Sequence, residues 1–442
     1  MKYDVVIIGG GIIGTALLYA LSRYTNIPRI ALIEKYKNVA QVNSHERNNS
    51  QTLHFGDIET NYNLEKAVKV KEAATMLVRY LELYAKDSFI KGGKMVLAVG
   101  EREVKEIERR FEEFQFLFPN IKKIYKDELA KLEPAIVKGR NNGGKLAALY
   151  SPDGYTVNYK KVSESFVREA KKTDKTVDVY LGTEVKELRK DKDTYIIKTS
   201  RGDFSASAVA VMAGPQSLVF AKQLGYGKNL SILPIAGSFY ITKNILNMKV
   251  YRVQLEKLPF AAIHGDPDIN NPQQTRFGPT GKVLPLLERY NYKSISGFLR
   301  TSVWNLRGVL SLLKIISNKP IFFYIFRNLT YDIPVLGRWL FLKHVQKIVP
   351  SLKYRDLRYG KKIGGIRPQV VDTSAKKLEM GEAEIVGDKI LFNITPSPGA
   401  SVSLKNAEQD ALKIIDFLKP AFSFDINRWC RDFGSTMQKV AE

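Results

Sequence analysis

Gly9-Gly10-Gly11-Ile12-Ile13-Gly14 restricts what this chain can fold into more than any other segment. It follows a β-rich run, Tyr3 to Ile8, and opens a stretch of helical periodicity, Ile12 to Arg23. A second apolar run, Arg29 to Ile33, then ends at Glu34. Strand, helix and strand within about 30 residues make the β-α-β unit that binds dinucleotides. Gly9 permits the tight turn, Gly11 lets the backbone approach a pyrophosphate, and Gly14 allows close helix–strand packing, with the helix N-terminus facing the phosphates. Glu34 stands where a carboxylate accepts the ribose hydroxyls. The glycine motif alone is weak evidence; with its strand, helix and terminal acid it specifies a nucleotide site.

At 442 residues the chain has the length of two or three domains, and 44% apolar residues is ordinary globular usage. Cys430 is its single cysteine, which excludes an intramolecular disulfide, a cysteine-based zinc site and an iron–sulfur cluster, and fits a reducing compartment. The apolar start, Tyr3 to Leu21, contains a glycine run and Asp4 and continues into a second strand, so it reads as mature structure with no signal peptide. No stretch reaches the roughly 18 uninterrupted apolar residues of a spanning helix, and membrane attachment is expected to be peripheral.

Helices are expected over Leu64 to Ala85, Glu101 to Phe118 and Val157 to Ala170. Strands are expected over Val177 to Leu181, Tyr195 to Thr199 and Ala208 to Met212, the last leading into Ala213-Gly214-Pro215. The two types mix along the whole chain without a repeat or a linker, so domains are expected to interleave in sequence.

Lys and Arg outnumber Asp and Glu by 69 to 45, a formal charge of +24. An anionic partner is implied: nucleic acid, an acidic membrane surface or small anionic substrates. Half of the excess lies between Lys293 and Lys362, where fourteen basic residues meet only Asp332 and Asp356. Large apolar side chains, among them Phe298, Trp304, Leu306, Leu312, Phe322, Phe323, Phe326, Trp339 and Phe341, are interleaved with them. A solvated face would carry balancing acids. This pattern suits a lipid-facing patch, with apolar groups among the headgroups and cations on anionic lipid. RNA binding is disfavoured, because the basic segment alternates with bulky aliphatics and forms no identifiable RNA-binding module.

The fingerprint does not by itself separate FAD from NAD. Its position at the extreme N-terminus favours FAD, as does a second glycine turn: Lys389 to Phe392 reads as strand, Thr395-Pro396-Ser397-Pro398-Gly399 as turn, and Ala400 onward as helix. A helix N-terminus delivered there would stabilise the negative charge of a reduced flavin.

Several segments run in one order from end to end: the fingerprint, Asn49-Ser50-Gln51-Thr52-Leu53-His54, Glu59-Thr60-Asn61-Tyr62, Val157-Asn158-Tyr159, Leu233-Pro234-Ile235-Ala236-Gly237, His264-Gly265-Asp266, Phe277-Gly278-Pro279, Gly365-Ile366-Arg367 and Ser397-Pro398-Gly399-Ala400-Ser401. Together they resemble the malate:quinone oxidoreductases, a branch of the glycine and D-amino-acid oxidase type of flavoprotein. The Asn49 to His54 segment also resembles the L-2-hydroxyglutarate dehydrogenases, which keeps that longer diacid as the alternative substrate. The Lys293 to Lys362 insert departs from the family core in length and basicity.

The resemblance implies non-covalent FAD, oxidation of (S)-malate to oxaloacetate, and transfer of the electrons to membrane quinone. It implies peripheral attachment to an anionic membrane surface on the cytoplasmic side, and no nucleic-acid partner. The implied fold class is α/β with α+β. A Rossmann-like FAD domain (1–80, 150–225 and 360–420) interleaves with an antiparallel-sheet substrate domain (81–149 and 226–359), whose membrane-facing insert is at about 293–362. Beside Gly9, Gly11, Gly14 and Glu34, cofactor contacts are expected at Ile12, Lys35 and Ser44, and at Asn49, Ser50, Gln51 and Thr52. Val185, Ala213 and Gly214 are expected to join them, with Pro398, Gly399, Ala400 and Ser401 from the second turn.

Oxidation of a 2-hydroxy acid needs a base for the hydroxyl proton and a cation for the carboxylate. Histidine suits the first role. Of four histidines, His45 and His344 are most simply surface residues, whereas His264 lies in a polar run with Asp266 and Asp268, either of which could orient its ring. His264 with Asp266 is therefore the expected base, and His54, beside the cofactor segment, its competitor. Arg367 is the expected carboxylate clamp: it follows Gly364-Gly365-Ile366 in a stretch of low charge, where a guanidinium needs an anion. Arg276 is a weaker candidate for a second carboxylate.

Overall fold

The computed structural model describes residues 1–140, 144–254, 263–379, 383–395 and 398–435. Strand β1 (Lys2–Ile8) runs parallel to β2 (Arg29–Ile33) on one side and to the strand Gly202–Val211 on the other. Thr176–Tyr180 and Ile390–Ile394 extend the parallel set outward. Val5, Val6 and Ile7 are all fully buried, which is why β1 reads as a continuous apolar run. Helix α1 (Ile12–Tyr24) packs against the helices Tyr159–Ala170 and Ser403–Phe417. Tyr19 of α1 meets the Tyr80 ring at 5.0 Å and Tyr80 meets Phe166 at 4.3 Å, an aromatic core on that face of the sheet.

A second eight-stranded sheet is built from Phe89–Val99, Lys122–Tyr125, Leu146–Val157 and five strands between Tyr240 and Tyr359. Its pairings are antiparallel, except that Lys249–Arg252 runs parallel to Phe89–Val99. In a third, four-stranded sheet Leu230–Ala236 pairs with Ile366–Asp372, which places Arg367 opposite Ile235.

Some elements depart from the expectation. The helix from Glu101 stops at Phe114, four residues early, ahead of Pro119, whose ring biases the chain before it away from helical geometry. Val157 ends a strand paired with Phe89, and the helix begins at Tyr159 behind Asn158, whose side chain accepts from the Lys161 N–H. That strand also crosses the expected boundary at 149/150. The polar run His264–Asp268 is a strand rather than a loop, paired on both sides, with a register shift after Pro267. The apolar residues expected just before it, Leu258 to Ala262, lie outside the described residues.

The basic insert is helical: Leu306–Ile316 and Lys319–Thr330, bent by 85°, followed by Leu336–Val345. Among the described residues no single helix is long and apolar enough to cross a membrane. Not every apolar residue of the insert faces outward. Phe298, Leu312 and Ile315 pack into the core beneath the parallel sheet, and Phe341, Leu342 and Val345 into that of the second sheet. Trp304 (76% exposed), Leu306 (72%), Leu313, Phe322, Phe323, Phe326 and Trp339 remain exposed.

Candidate active site

A cavity of about 520 Å³ runs from the Gly9–Ile13 turn, past the loop Ala40–Thr52, to Arg367 and the turn Pro398–Ser401. The three glycines of the fingerprint divide their work as their geometry dictates. Gly9 has φ +113°, and a Cβ there would lie 2.5 Å from the Met212 carbonyl. A Cβ on Gly14 would lie 2.0 Å from the Gly9 carbonyl, so this glycine serves packing and does not line the cavity. A Cβ on Gly11 would meet only Ser44 Oγ at 3.5 Å and otherwise enter the cavity. The N-terminus of α1, with no acid in its first turn, faces that space and suits a pyrophosphate.

Glu34 caps the other side: its carboxylate accepts from the N–H groups of Gly10 (2.7 Å) and Tyr36 (2.9 Å). Burial raises its pKa against those two bonds. Lys35 lines the wall with its ammonium paired to Glu288, and Ser44 Oγ accepts from the Ile12 N–H at 3.0 Å. Asn49, Ser50, Thr52, Val185, Ala213 and Gly214 line the cavity. Pro398, Gly399, Ala400 and Ser401 line its far end, ahead of the helix Ser403–Phe417. Gln51 is turned away: its amide donates to Glu46 O and to Asp268 Oδ1. The bare turn at Gly11, the helix end behind it, the ribose-side acid and the second helix end together fit FAD.

His54 lines this cavity, held by its own N–H, which donates to Ser401 Oγ at 2.9 Å. Its Nδ1 lies 2.6 Å from Glu59 Oε1. Burial opposes charge on Glu59, but the His54 bond and the nearby Lys94 ammonium outweigh it and hold the carboxyl at about 2. With Nδ1 engaged by a carboxylate, Nε2 is the nitrogen left to the cavity. The loop is pinned from behind: Lys94 pairs with Asp57 at 2.7 Å, and Arg110 donates to the carbonyls of Gly56, Glu59 and Tyr62. Histidine and acid five residues apart around Gly56 was the available signal for this pair.

Arg367 lines the same cavity, and among the described residues no carboxylate pairs with it. Burial lowers its pKa, and its guanidinium interacts electrostatically with the phenols of Tyr324, Tyr251 and Tyr62. Asn43 brackets the preceding residue, accepting from the Ile366 N–H and donating to its carbonyl.

His264 and Asp266 are elsewhere. Both are buried, neither lines the cavity, and His264 Nε2 faces Asp266 Oδ2 at 3.1 Å. The imidazole lies 4.4 Å from the Tyr251 ring, whose hydroxyl meets Thr52 Oγ1 at 2.5 Å, so His264 stands one layer behind the wall. Burial would raise the Asp266 pKa, but His264, Lys249 and Arg276 hold it at about 2. Lys249 donates to Ser50 O at 2.9 Å and Arg276 to Asn49 O and Glu46 O. Arg276 is 1% exposed, faces Asp268 and does not line the cavity.

The FAD dependent oxidoreductase family profile matches residues 4–383. A Campylobacter jejuni protein named probable malate:quinone oxidoreductase is 43% identical over 96% of this chain and 98% of its own. The Helicobacter pylori malate:quinone oxidoreductase is 40% identical over 98% of each chain. A Caenorhabditis briggsae protein named L-2-hydroxyglutarate dehydrogenase, mitochondrial, is 27% identical over 92% of each chain. Among solved structures, the FAD-bound L-α-glycerophosphate oxidase of Mycoplasma pneumoniae shares the fold, with a TM-score of 0.65 at 20% identity over 94% of this chain and 95% of its own.

Proposed function

The chain belongs to the malate:quinone oxidoreductase family, and from that premise we propose how its residues divide the work. The protein is an FAD-dependent oxidoreductase that converts malate to oxaloacetate and passes the electrons to quinone. When bound, FAD supplies the two-electron acceptor. The observation that carries the assignment of roles is that His54, with its carboxylate partner, and Arg367, which pairs with no carboxylate among the described residues, stand on the wall of the cavity onto which Gly11 opens. Arg367 receives the C1 carboxylate of malate in a two-point contact and sets C2 toward the cofactor. His54 Nε2 takes the proton of the C2 hydroxyl, and Glu59 on Nδ1 fixes the tautomer and stabilises the imidazolium that results. His264 and Asp266 act from behind, through Tyr251, and Lys249 and Arg276 hold the carbonyls of the cofactor loop.

The diacid of best fit is malate, since the relatives named for 2-hydroxyglutarate are much more distant. Anaerobic mixing with malate, L-2-hydroxyglutarate, lactate and glycerol 3-phosphate tests this: malate should bleach the flavin at the lowest concentration. A lactate response equal to that of malate would overturn the diacid assignment.

The exposed aromatics of the insert and its surplus of cations support attachment to anionic lipid at the cytoplasmic face. Lys293, Ser296, Gly297 and Arg300, at the start of the insert, also line the cavity, which supports a short path between that surface and the cofactor. We divide the chain into an FAD domain around the parallel sheet and a substrate domain around the second sheet, with the boundary near 150 moved to the end of the strand Leu146–Val157.

A further inference from the structure

Away from the cavity, three cations gather where the insert meets the second sheet. Arg252 ends the strand Lys249–Arg252, Arg327 lies in the last turn of the helix Lys319–Thr330, and Lys347 follows the helix Leu336–Val345. His344 ties them together: Arg252 Nη1 lies 3.4 Å from its Nδ1, and the Lys347 N–H donates to its carbonyl at 3.3 Å. None of the three cations pairs with a carboxylate among the described residues. Glu103, the acid whose charge reaches Arg252 and Lys347, accepts instead from the Val99 N–H at 2.9 Å.

Tyr331 completes the group, one turn beyond Arg327. Its ring stands edge-on to that of His344 at 5.6 Å, and it is firmly seated, with its carbonyl accepting from the Tyr240 hydroxyl at 2.6 Å and its ring 5.3 Å from Phe341. Yet the residue is 1% exposed and its hydroxyl has no hydrogen-bond partner. A buried hydroxyl in that state is unfavourable until an acceptor arrives. Burial, together with Arg327, Arg252 and Lys347, pushes the His344 pKa down to about 4, so the ring is neutral at working pH. With Nδ1 accepting from Arg252, its proton sits on Nε2, a further donor. Guanidinium, ammonium, imidazole N–H and phenol O–H in one cluster suit an anion that only accepts.

The same two helices indicate which anion. Phe322, Phe323 (65% exposed) and Phe326 stand out from Lys319–Thr330, and Trp339 from Leu336–Val345. Rings that enter a headgroup layer bring lipid phosphates to the level of the cations beside them. We propose that Arg252, Arg327, Tyr331, His344 and Lys347 form a binding site for the phosphate of an anionic phospholipid, which fixes the orientation of the insert on the membrane. The proposal rests on the membrane reading of the insert, and adds a built site to what charge alone would leave as diffuse attraction.

The test uses full-length, FAD-loaded wild type, Tyr331→Phe and Arg252→Gln, floated with phosphatidylcholine vesicles carrying either phosphatidylglycerol or oleate at matched surface potential. Wild type should favour the phosphatidylglycerol vesicles about 10-fold, and both variants should lose that preference while still floating with either vesicle. In histidine-labelled protein followed by NMR, with His344→Gln to assign the resonance, dihexanoyl phosphatidylglycerol should raise the His344 pKa from about 4. Inorganic phosphate and malate should do so only at much higher concentration. Lipid-free Tyr331→Phe, relieved of an unpartnered hydroxyl, should melt at or above wild type. Equal wild-type flotation with the two vesicles, or an undiminished preference in both variants, would overturn the site and leave the membrane reading standing. A response to inorganic phosphate or malate as strong as that to the lipid would overturn the choice of occupant. Wild type that floats with neither vesicle would overturn the membrane reading and this site with it. A Tyr331→Phe protein that melts lower and keeps the preference would overturn the hydroxyl's place in the site.

Discussion

Gly11 and Gly14 belong to one motif, but alanine should do opposite things at each. At Gly14 the new methyl would sit 2.0 Å from the Gly9 carbonyl and 3.2 Å from Met212 Cβ, so α1 must move away from the turn by about 1 Å or more. Eleven of its thirteen residues are buried, so the displacement spreads into the core. Overpacking of this kind costs about 1–3 kcal/mol. With an unfolding entropy of about 2 cal/mol/K per residue, that lowers the melting temperature of the apo-protein by about 1–3 °C. At Gly11 the backbone is ordinary, φ −73° and ψ −179°, and the methyl has only Ser44 Oγ at 3.5 Å for a neighbour. Gly11→Ala should therefore melt like wild type without cofactor. Its methyl occupies the approach to the pyrophosphate, and loss of one charge-assisted hydrogen bond there weakens FAD by about 10-fold to 100-fold. FAD at about 100 times its dissociation constant stabilises wild type by about 2.7 kcal/mol, or about 3 °C, and Gly11→Ala by less than about 1.5 kcal/mol. Differential scanning of apo and FAD-loaded protein reads both quantities. A Gly11→Ala protein that gains the full FAD shift, or a Gly14→Ala apo-protein as stable as wild type, would refute the division of labour.

Glu133 makes a pH prediction. It is fully buried, one oxygen accepts from the N–H groups of Asn247 and Met248, and burial lifts its pKa to about 7 against those bonds. Between about pH 4.5 and 7 the unfolded chain releases a proton that the folded chain keeps, so stability falls as pH rises through that window, by up to about 3 kcal/mol. Glu133→Gln should match wild type at pH 5 and melt higher at pH 8; an equal gain at both would show that ionisation is not the cause. Phe323→Asp with Phe326→Asp should abolish flotation with anionic vesicles, and wild-type flotation should weaken as salt screens the insert's cations. Flotation of the double variant at wild-type level would place the membrane contact elsewhere. Arg276→Leu removes two donors to the cofactor loop, at Asn49 O and Glu46 O, and should accelerate FAD release without moving half-saturating malate much; a selective malate defect would return Arg276 to the substrate.

The nucleotide half of the fold was legible because glycine geometry is local: turn, phosphate approach and helix contact are set by residues within a few positions of one another. The place of Arg367 on the cavity wall was legible from its standing as a lone cation in a stretch with little charge. His264 was misplaced because a polar run reads the same as an exposed loop and as a buried strand. What distinguishes them is Lys249 and Arg276, brought to Asp266 by pairing of strands distant in sequence. The value of His54 depended on Glu59, visible only once the turn at Gly56 brings the two together. In the insert, the mixture of cations and aromatics suggested a lipid-facing patch, but Phe341 and Leu312 show that composition does not say which apolar side chains meet the core.

The role of His54 as the base is most directly tested by anaerobic stopped-flow reduction of the flavin with malate and C2-deuterated malate, in wild type, His54→Gln and His264→Gln. Removal of a general base typically costs ~100-fold to ~10,000-fold, so His54→Gln should retain FAD and malate but reduce flavin that much more slowly, with C2 deuteration slowing wild type. His264→Gln, acting through Tyr251, should lose about 10-fold or less. Flavin reduction at the wild-type rate in His54→Gln, with His264→Gln inactive, would contradict the account and return the base to the buried strand.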